Sequence, residues 1–495
     1  MRFKRSGGIL LHPISLPGRF GCGDLGACSY HFVDWLVTAR QKLWQMLPIG
    51  PIGEGNSPYL SLSAFAGNPL LIDLETLVGK GWLRGEDIET SVIPLSNRID
   101  YNLVVKSKMP LLKKAAENFL EQNTKEDKNA FEEFCEKERY WLHDYALFQV
   151  LNGKLQVADW TLWDSRLKNR DEKALKEVER NNEKEIIFHK FTQWCFSFQW
   201  KNIKEYANNR GIKLVGDIPI FVSHHSVDVW ARQNEYLLDE TGKPKFVAGV
   251  PPDYFSSTGQ RWGNPIYNWK EMKKTGYEWW KKRFKKALEL FDIIRIDHFR
   301  GFESYWEIPA EEESAINGKW VKGPGFSFFK SIQNEIGNLP VIAEDLGIIT
   351  SEVNALRERL GFPGMKVLQF AFSGDPSNPY LPHNYDRNCV VYTGTHDNDT
   401  TCGWYEKLSE KEKKFLMAYC NIGTDKINWV LIKLAFQSVA DLVLIPFQDV
   451  LGLGSEARMN FPGTKAGNWE WRFFWEQVGP IPAQKLGEIT AIYSR

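Results

Sequence analysis

The sequence carries no surplus of either charge: Lys and Arg number 62, Asp and Glu number 62, and the formal net charge is +0. A balanced chain has no global electrostatic attraction for phosphate backbones or anionic surfaces, so neither nucleic acid nor a membrane is an expected partner. No apolar run approaches the ~18 residues that would span a bilayer. The opening MRFKRSGGILLHPISLPG begins basic, but His12 and Pro13 break its apolar stretch before it reaches the length of a secretory signal. Cysteine is scarce and odd in number, with 7 residues scattered and no Cys-x-x-Cys pair. This argues against a disulfide framework or a Cys-based zinc site, and it predicts reduced thiols in a cytoplasmic protein. Also lacking are an internal repeat and a Gly-rich phosphate turn after a first strand. GRFGCGDLG follows a proline turn and opens no dinucleotide-binding unit.

Hydrophobic residues at 43% and charged residues at 25% are ordinary values for a chain with a buried core. The length of 495 residues allows about three domains at ~100 to 200 residues each, or one large barrel with insertions. Aromatic residues reach 14%, with 20 Trp, 17 Tyr and 31 Phe. That is more flat apolar surface than a core requires, and it predicts a face on which ligands stack, sugars being the usual ones.

Eight short apolar runs, rich in Val, Ile and Leu and bounded by Gly, Pro or polar turns, read as strands. They are Gly7 to Pro13, Lys42 to Gly50, Lys213 to Val222, Asp292 to Phe299, Pro340 to Gly347, Gly364 to Phe372, Cys389 to Asp397 and Asp441 to Val450. Helical patterns lie between most of them. SEVNALRERLG has Thr350 or Ser351 as cap and Gly361 as stop, and SEKEKKFLMAY opens with a Ser409/Glu412 capping box. This α/β alternation predicts a (β/α)8 TIM barrel. Polar residues gather at the C-terminal ends of the runs, where such barrels keep their chemistry: His12, Asp217, Arg295 with Asp297, Glu344 with Asp345, His396 with Asp397, and Asp449.

The expected organisation is a single catalytic barrel over residues 1–495 with two insertions. Residues 52–212, between the second and third strands, read as mainly helical, with Leu112, Ala115, Phe119, Trp141, Tyr145 and Phe148 at helical spacing. The charge run DEKALKEVERNNEKE reads as a solvated helix face. Residues 223–291, between the third and fourth strands, are rich in Gly, Pro and aromatics and read as a loop-rich lobe over the ligand. After Asp449 a short loop and one helix leave no room for a C-terminal β domain.

Arg295 and Asp297 stand two apart on a strand, so both face one way and the guanidinium is placed to hold the carboxylate ionised. Glu344, among Val341, Ile342, Ala343 and Leu346, is placed to have its pKa raised by desolvation, as a general acid requires. Two carboxyls ~5 to 5.5 Å apart with opposed protonation states make a retaining glycosidase pair, and barrel strands ~4.8 Å apart can supply that spacing. Asp397, beside His396, brings a third carboxylate to the same rim.

These residues lie in stretches that together resemble the amylomaltases, the 4-alpha-glucanotransferases of the alpha-amylase clan. The stretches are SGGILLHPISLPGRFGCGDLG, NSPYLSLSAFAGNPLLIDL, GDIPIFVSHHSVDVW, GVPPDYFSSTGQRWGNPIYNW, RIDHFRGF, VIAEDLG, LPHNY, GTHDNDTT and NFPGTKAGNW. The resemblance implies a TIM barrel that transfers segments of α-1,4-glucan, with Asp297 as nucleophile, Glu344 as acid/base and Asp397 gripping the ring hydroxyls. It implies Arg295 and His396 as supports around the reacting glucose. Tyr254, Phe255, Gln260 and Trp262 are implied in a loop over the acceptor sites, and Tyr59 and Asn468 in motifs that touch the donor chain. Maltooligosaccharides and starch- or glycogen-derived α-1,4-glucans are the implied partners, with no cofactor and no metal. The sequence departs from the family's usual pattern at Glu54, near Leu60 and Leu62, and at His225.

Three other functions compete. A non-catalytic glucan-binding barrel would have no need of three carboxylates on one rim. A Schiff-base aldolase needs a desolvated Lys at a strand end, whereas Lys366 starts its strand. A hydrolase would use the same carboxylates, and only the resemblance and the aromatic lobe favour a sugar acceptor over water. Asp217 and Asp345 are expected to fix loops or Arg side chains. His224, His225, His298 and His396 with nearby carboxylates could suit zinc, but His224 and His225, adjacent on a segment read as extended, are expected to point to opposite faces, and no metal site is expected. Trp262, in a turn-rich loop, is the best candidate for a sugar platform.

Overall fold

The eight apolar runs pair into one parallel sheet because each is buried on both faces, which is what a continuous Val/Ile/Leu strand requires. In the computed structural model, which describes residues 2–252, 256–421, 426–464 and 466–495, the strands are β1 (Ser6–Leu10), β2 (Leu43–Gln45), β3 (Lys213–Pro219), β4 (Ile293–Asp297), β5 (Val341–Ala343), β6 (Gly364–Val367), β7 (Cys389–Tyr392) and β8 (Leu442–Pro446). Their order in the sheet is β6-β7-β8-β1-β2-β3-β4-β5, with every pair parallel. The Ala343 amide donates to the Pro363 carbonyl at 2.9 Å and joins the two ends of the sheet into a barrel. The barrel interior is filled by Leu43, Val215, Ile293, Ile342, Met365, Val390, Tyr392, Leu442 and Leu444, all nearly inaccessible. β1 contributes Gly8 at this level, where a Cβ would stand 2.3 Å from Leu43 Cβ and 2.4 Å from its carbonyl oxygen.

Local signals place the outer helices. The helix Ser351–Leu360 has Thr350 as N-cap and ends at Gly361 with φ 71°, the left-handed conformation glycine adopts without strain. At Glu410–Cys420 the reciprocal box is formed, Glu412 donating its amide to Ser409 Oγ and accepting the Ser409 amide at 2.8 Å. Such a cap stabilises by roughly 1 kcal/mol.

Between β2 and β3 the chain forms the helices Tyr101–Gln122, Lys125–Lys137, Arg139–Leu155 and Glu183–Asn209, along with shorter ones. Leu112, Ala115, Phe119, Trp141, Tyr145 and Phe148 are buried there, and the charged helix Glu172–Asn181 lies mostly exposed.

The lobe differs from the sequence expectation, because it contains a four-stranded antiparallel sheet. Its strands, in spatial order, are Gln260–Pro265, Phe246–Val250, Ser304–Pro309 and Lys319–Lys322. Two precede β4 and two follow it, so the sheet is assembled from segments on either side of a barrel strand. Local periodicity within 223–291 cannot show partners that lie outside it. No helix among the described residues is long and apolar enough to cross a membrane.

Candidate active site

Asp297 closes β4, and Glu344 follows directly on β5. Ile296 pairs with Ala343, and the Glu344 amide donates to the Ile296 carbonyl at 3.0 Å, so the ladder continues and brings Glu344 level with Asp297. Neighbouring strands lie ~4.8 Å apart, which sets the two carboxyls side by side at the C-terminal mouth. On the other flank Asp217 of β3 pairs with Arg295.

Arg295 is buried, and its Nη1 donates to both oxygens of Asp217 at 2.8 and 2.7 Å and to Asp297 Oδ1 at 3.0 Å. This changes the expected electrostatics. One guanidinium nitrogen serves two carboxylates, and Asp217 takes two of its three contacts. Burial pushes the Asp297 carboxyl up to about 8, with Arg295 opposing and the Asp217, Glu344 and Asp397 charges adding to the rise. Arg295 therefore does not by itself keep Asp297 ionised, as the sequence suggests it would. The Asp297 side chain stays 30% exposed, so solvent moderates the shift.

Glu344 is raised as well, by burial, against the pull of Arg295 and of two amides. Those amides are Leu346 N to Oε1 at 2.8 Å and His298 N to Oε2 at 2.6 Å. His298 has φ 53°, an unfavourable left-handed conformation for a residue with a Cβ. Strain of this kind gathers where a backbone group must be aimed. Asp345 points the other way, accepting the Met365 amide at 2.6 Å and pairing with Arg357 at 3.1 Å.

Tyr59 donates its hydroxyl to Asp217 Oδ2 at 2.7 Å and stacks on His396, with ring centroids 5.0 Å apart and planes 18° apart. His396 is buried, which lowers its pKa and favours the neutral imidazole; its Nε2 lies 3.4 Å from Asp397 Oδ1. Asp397 itself is exposed at the rim. Asn460 donates to its Oδ1 at 2.6 Å, and Arg458 donates to its carbonyl at 2.6 Å. A small pocket opens beside it, lined by His12, His396, Asn398, Arg458, Met459 and Trp471 among others.

Trp262 lies on the strand Gln260–Pro265 and not in a loop. Its ring meets His298 edge-on, with centroids 4.8 Å apart, and its indole N–H donates to Gln260 Oε1 at 3.1 Å. The lobe thus presses on the residue whose amide holds Glu344. Asn468 is buried, accepting the Phe461 amide at 2.9 Å and donating to Thr464 O and Oγ1 at 3.0 Å, so its amide closes the 461–468 loop. Tyr254 and Phe255 lie outside the described residues.

The family model for 4-alpha-glucanotransferase matches residues 11–476. The chain belongs to the 4-alpha-glucanotransferase family. It is 51% identical over 494 residues to a 4-alpha-glucanotransferase of Thermus thermophilus, covering 98% of each chain. It is 45% identical to the chloroplastic/amyloplastic 4-alpha-glucanotransferase of Solanum tuberosum, covering 99% of this chain and 87% of that one. Among solved structures, the amylomaltase from Streptococcus agalactiae in complex with acarbose superposes with a TM-score of 0.97 at 38% identity, covering 99% and 100% of the two chains.

Two residues that the sequence does not single out, Arg458 and Asn460, fix Asp397. Asn460 opens the stretch NFPGTKAGNW and was within reach; Arg458 carries no local signal. Asp217 fixes an Arg side chain, as expected of it, and its hold on Arg295 depends on β3 pairing with β4. Among the described residues the rim carboxylates belong to no cluster with metal-ligand geometry. The group that has it is Asp159, His224 and His225.

Proposed function

We propose that the chain transfers a segment of an α-1,4-glucan to the 4-OH of an acceptor glucan or glucose by retaining double displacement. The observation that carries this reading is the level placement of Asp297 and Glu344 on adjacent strands, both raised by burial. Two adjacent carboxyls whose charges repel favour a state with one proton between them, which is the number the reaction needs. With the proton on Glu344, Asp297 attacks C1 of the donor glucose while Glu344 protonates the departing glycosidic oxygen, leaving a β-linked glucosyl-enzyme. Glu344, now a carboxylate, takes the proton from the acceptor 4-OH as that oxygen displaces Asp297. The second inversion restores the α configuration.

Asp397, held by Asn460 and Arg458, is placed to grip ring hydroxyls as positive charge develops at C1. Arg295, Asp217, Tyr59 and His396 position the nucleophile from beneath. Gln260 and Trp262, with Tyr254 and Phe255, serve the acceptor side, and Asn468 acts by shaping the donor-side loop. The substrates on this reading are maltooligosaccharides and starch- or glycogen-derived α-1,4-glucans, in the cytoplasm. Carboxylates account for every proton and bond, so the mechanism calls on no cofactor. Hydrolysis is the competing outcome, since water can take the acceptor's place at the same intermediate. Incubation with maltotriose tests this directly: glucose and a ladder of longer maltooligosaccharides should form with little gain in total reducing ends. Reducing ends that climb steadily toward complete breakdown would make the protein a hydrolase.

A further inference from the structure

His224 and His225 follow β3 in a turn, which changes the geometry expected of an extended His-His pair. Their rings come within 5.0 Å of each other at an interplanar angle of 64°. Asp159, from the long β2–β3 insertion, completes a group in which one nitrogen of each ring and one carboxylate oxygen all lie within 4.8 Å of one another. His224 donates Nε2–H to the Gly242 carbonyl at 3.0 Å, which leaves Nδ1 as the nitrogen carrying the lone pair. Fixing one ring nitrogen on a backbone carbonyl is how proteins orient a ligating histidine. His225 Nδ1 is buried with no hydrogen-bond partner and stands 3.9 Å from Asp159 Oδ1. An orphaned buried nitrogen is unfavourable unless something unseen binds it.

We infer that Asp159, His224 and His225 form a binding site for a divalent borderline metal ion such as Zn²⁺, with a water as fourth ligand. Two imidazoles, one carboxylate and water are a recognised zinc donor set. Tetrahedral bonds of ~2.0–2.1 Å put ligand atoms about 3.3 Å apart. Binding would require the His225 ring, whose side chain is 38% exposed, to close the remaining gap toward Asp159, which the Thr161 amide and hydroxyl hold in place.

The ion would tie the helical insertion to the loop after β3. Val222 of that loop accepts from Asn264 at 2.9 Å, on the strand that also carries Trp262. On this proposal the site is a clip between the insertion and the loop after β3, and the ion takes no part in glycosyl transfer.

The test uses metal-stripped full-length enzyme titrated with Co²⁺ and read by visible absorption. One equivalent should give tetrahedral d–d bands without thiolate charge transfer, and Zn²⁺ should displace it. His225→Gln and Asp159→Asn should each weaken Co²⁺ binding by at least about tenfold, while both variants keep maltotriose disproportionation. Unchanged affinity in both variants, a purely thiolate spectrum, or no uptake at millimolar Co²⁺ would each overturn the site.

Discussion

Replacing Asp217 by asparagine should move the acidic limb of the activity profile to lower pH. Asp217 Oδ2 and Asp297 Oδ1 bond the same Arg295 nitrogen at 2.7 and 3.0 Å, so the two carboxylates lie within about 6 Å of one another. At that separation and an effective dielectric of about 20, like charges repel by about 3 kcal/mol, roughly two pKa units. The exposed part of Asp297 screens some of this, and a fall of about one unit is expected. The sign follows from the direction: burial and Asp217 raise Asp297, so removing the Asp217 charge lowers it. The ionised nucleophile then persists at lower pH. In Asp217→Asn the side-chain amide oxygen can still accept from Tyr59, and Arg295 keeps Asp297 as partner, so the fold should survive. The assay is kcat/KM for glucose release from maltotriose across pH 4 to 9, with the thermal midpoint of each protein as control. An acidic limb that stays put or moves upward would refute the shared-guanidinium account.

Stability should respond to the same group. Because Asp297 is raised in the folded state, its contribution is intact below the unfolded pKa and is lost as pH rises through the folded value of about 8. Asp297→Asn should therefore gain stability over the parent progressively from about pH 4 to 8, by about 1–2 kcal/mol after allowing for its open surface. Urea titrations at several pH values check this, and a pH-independent difference would count against it. Trp262→Ala should raise the ratio of hydrolysis to transfer; an unchanged ratio would confine the ring to packing on His298. Glu344→Ala should still accept glucosyl fluoride, whose leaving group needs no proton, and azide should rescue turnover to give α-glucosyl azide. Rescue of Asp297→Ala with a β product would exchange the two roles.

The barrel was legible because its signals are local. A strand buried on both faces must be apolar throughout, so the eight runs stand out without knowledge of their partners. Helix caps such as Ser409 with Glu412 act within one turn of chain. The spacing of Arg295 and Asp297 fixes their common face through strand geometry alone. Asp297, Glu344 and Asp397 stand out as candidates in the same way, since each ends an apolar run at a strand's C-terminal end.

Tertiary structure decided what depends on partners distant in sequence. Burial at the barrel mouth raises the Asp297 carboxyl against the pull of Arg295, whose Nη1 the register between β3 and β4 shares with Asp217. The lobe sheet joins strands from both sides of β4, so no single segment reveals it, and Trp262 reads as a loop residue until its partners are known. Asn468 turns inward to bond Phe461 and Thr464, and Arg458 reaches Asp397 only through folding. A turn after β3 swung His224 and His225 together beside Asp159. Composition and periodicity report what a residue does with its near neighbours; charge sharing and ligand geometry depend on distances that exist only once the chain has closed on itself.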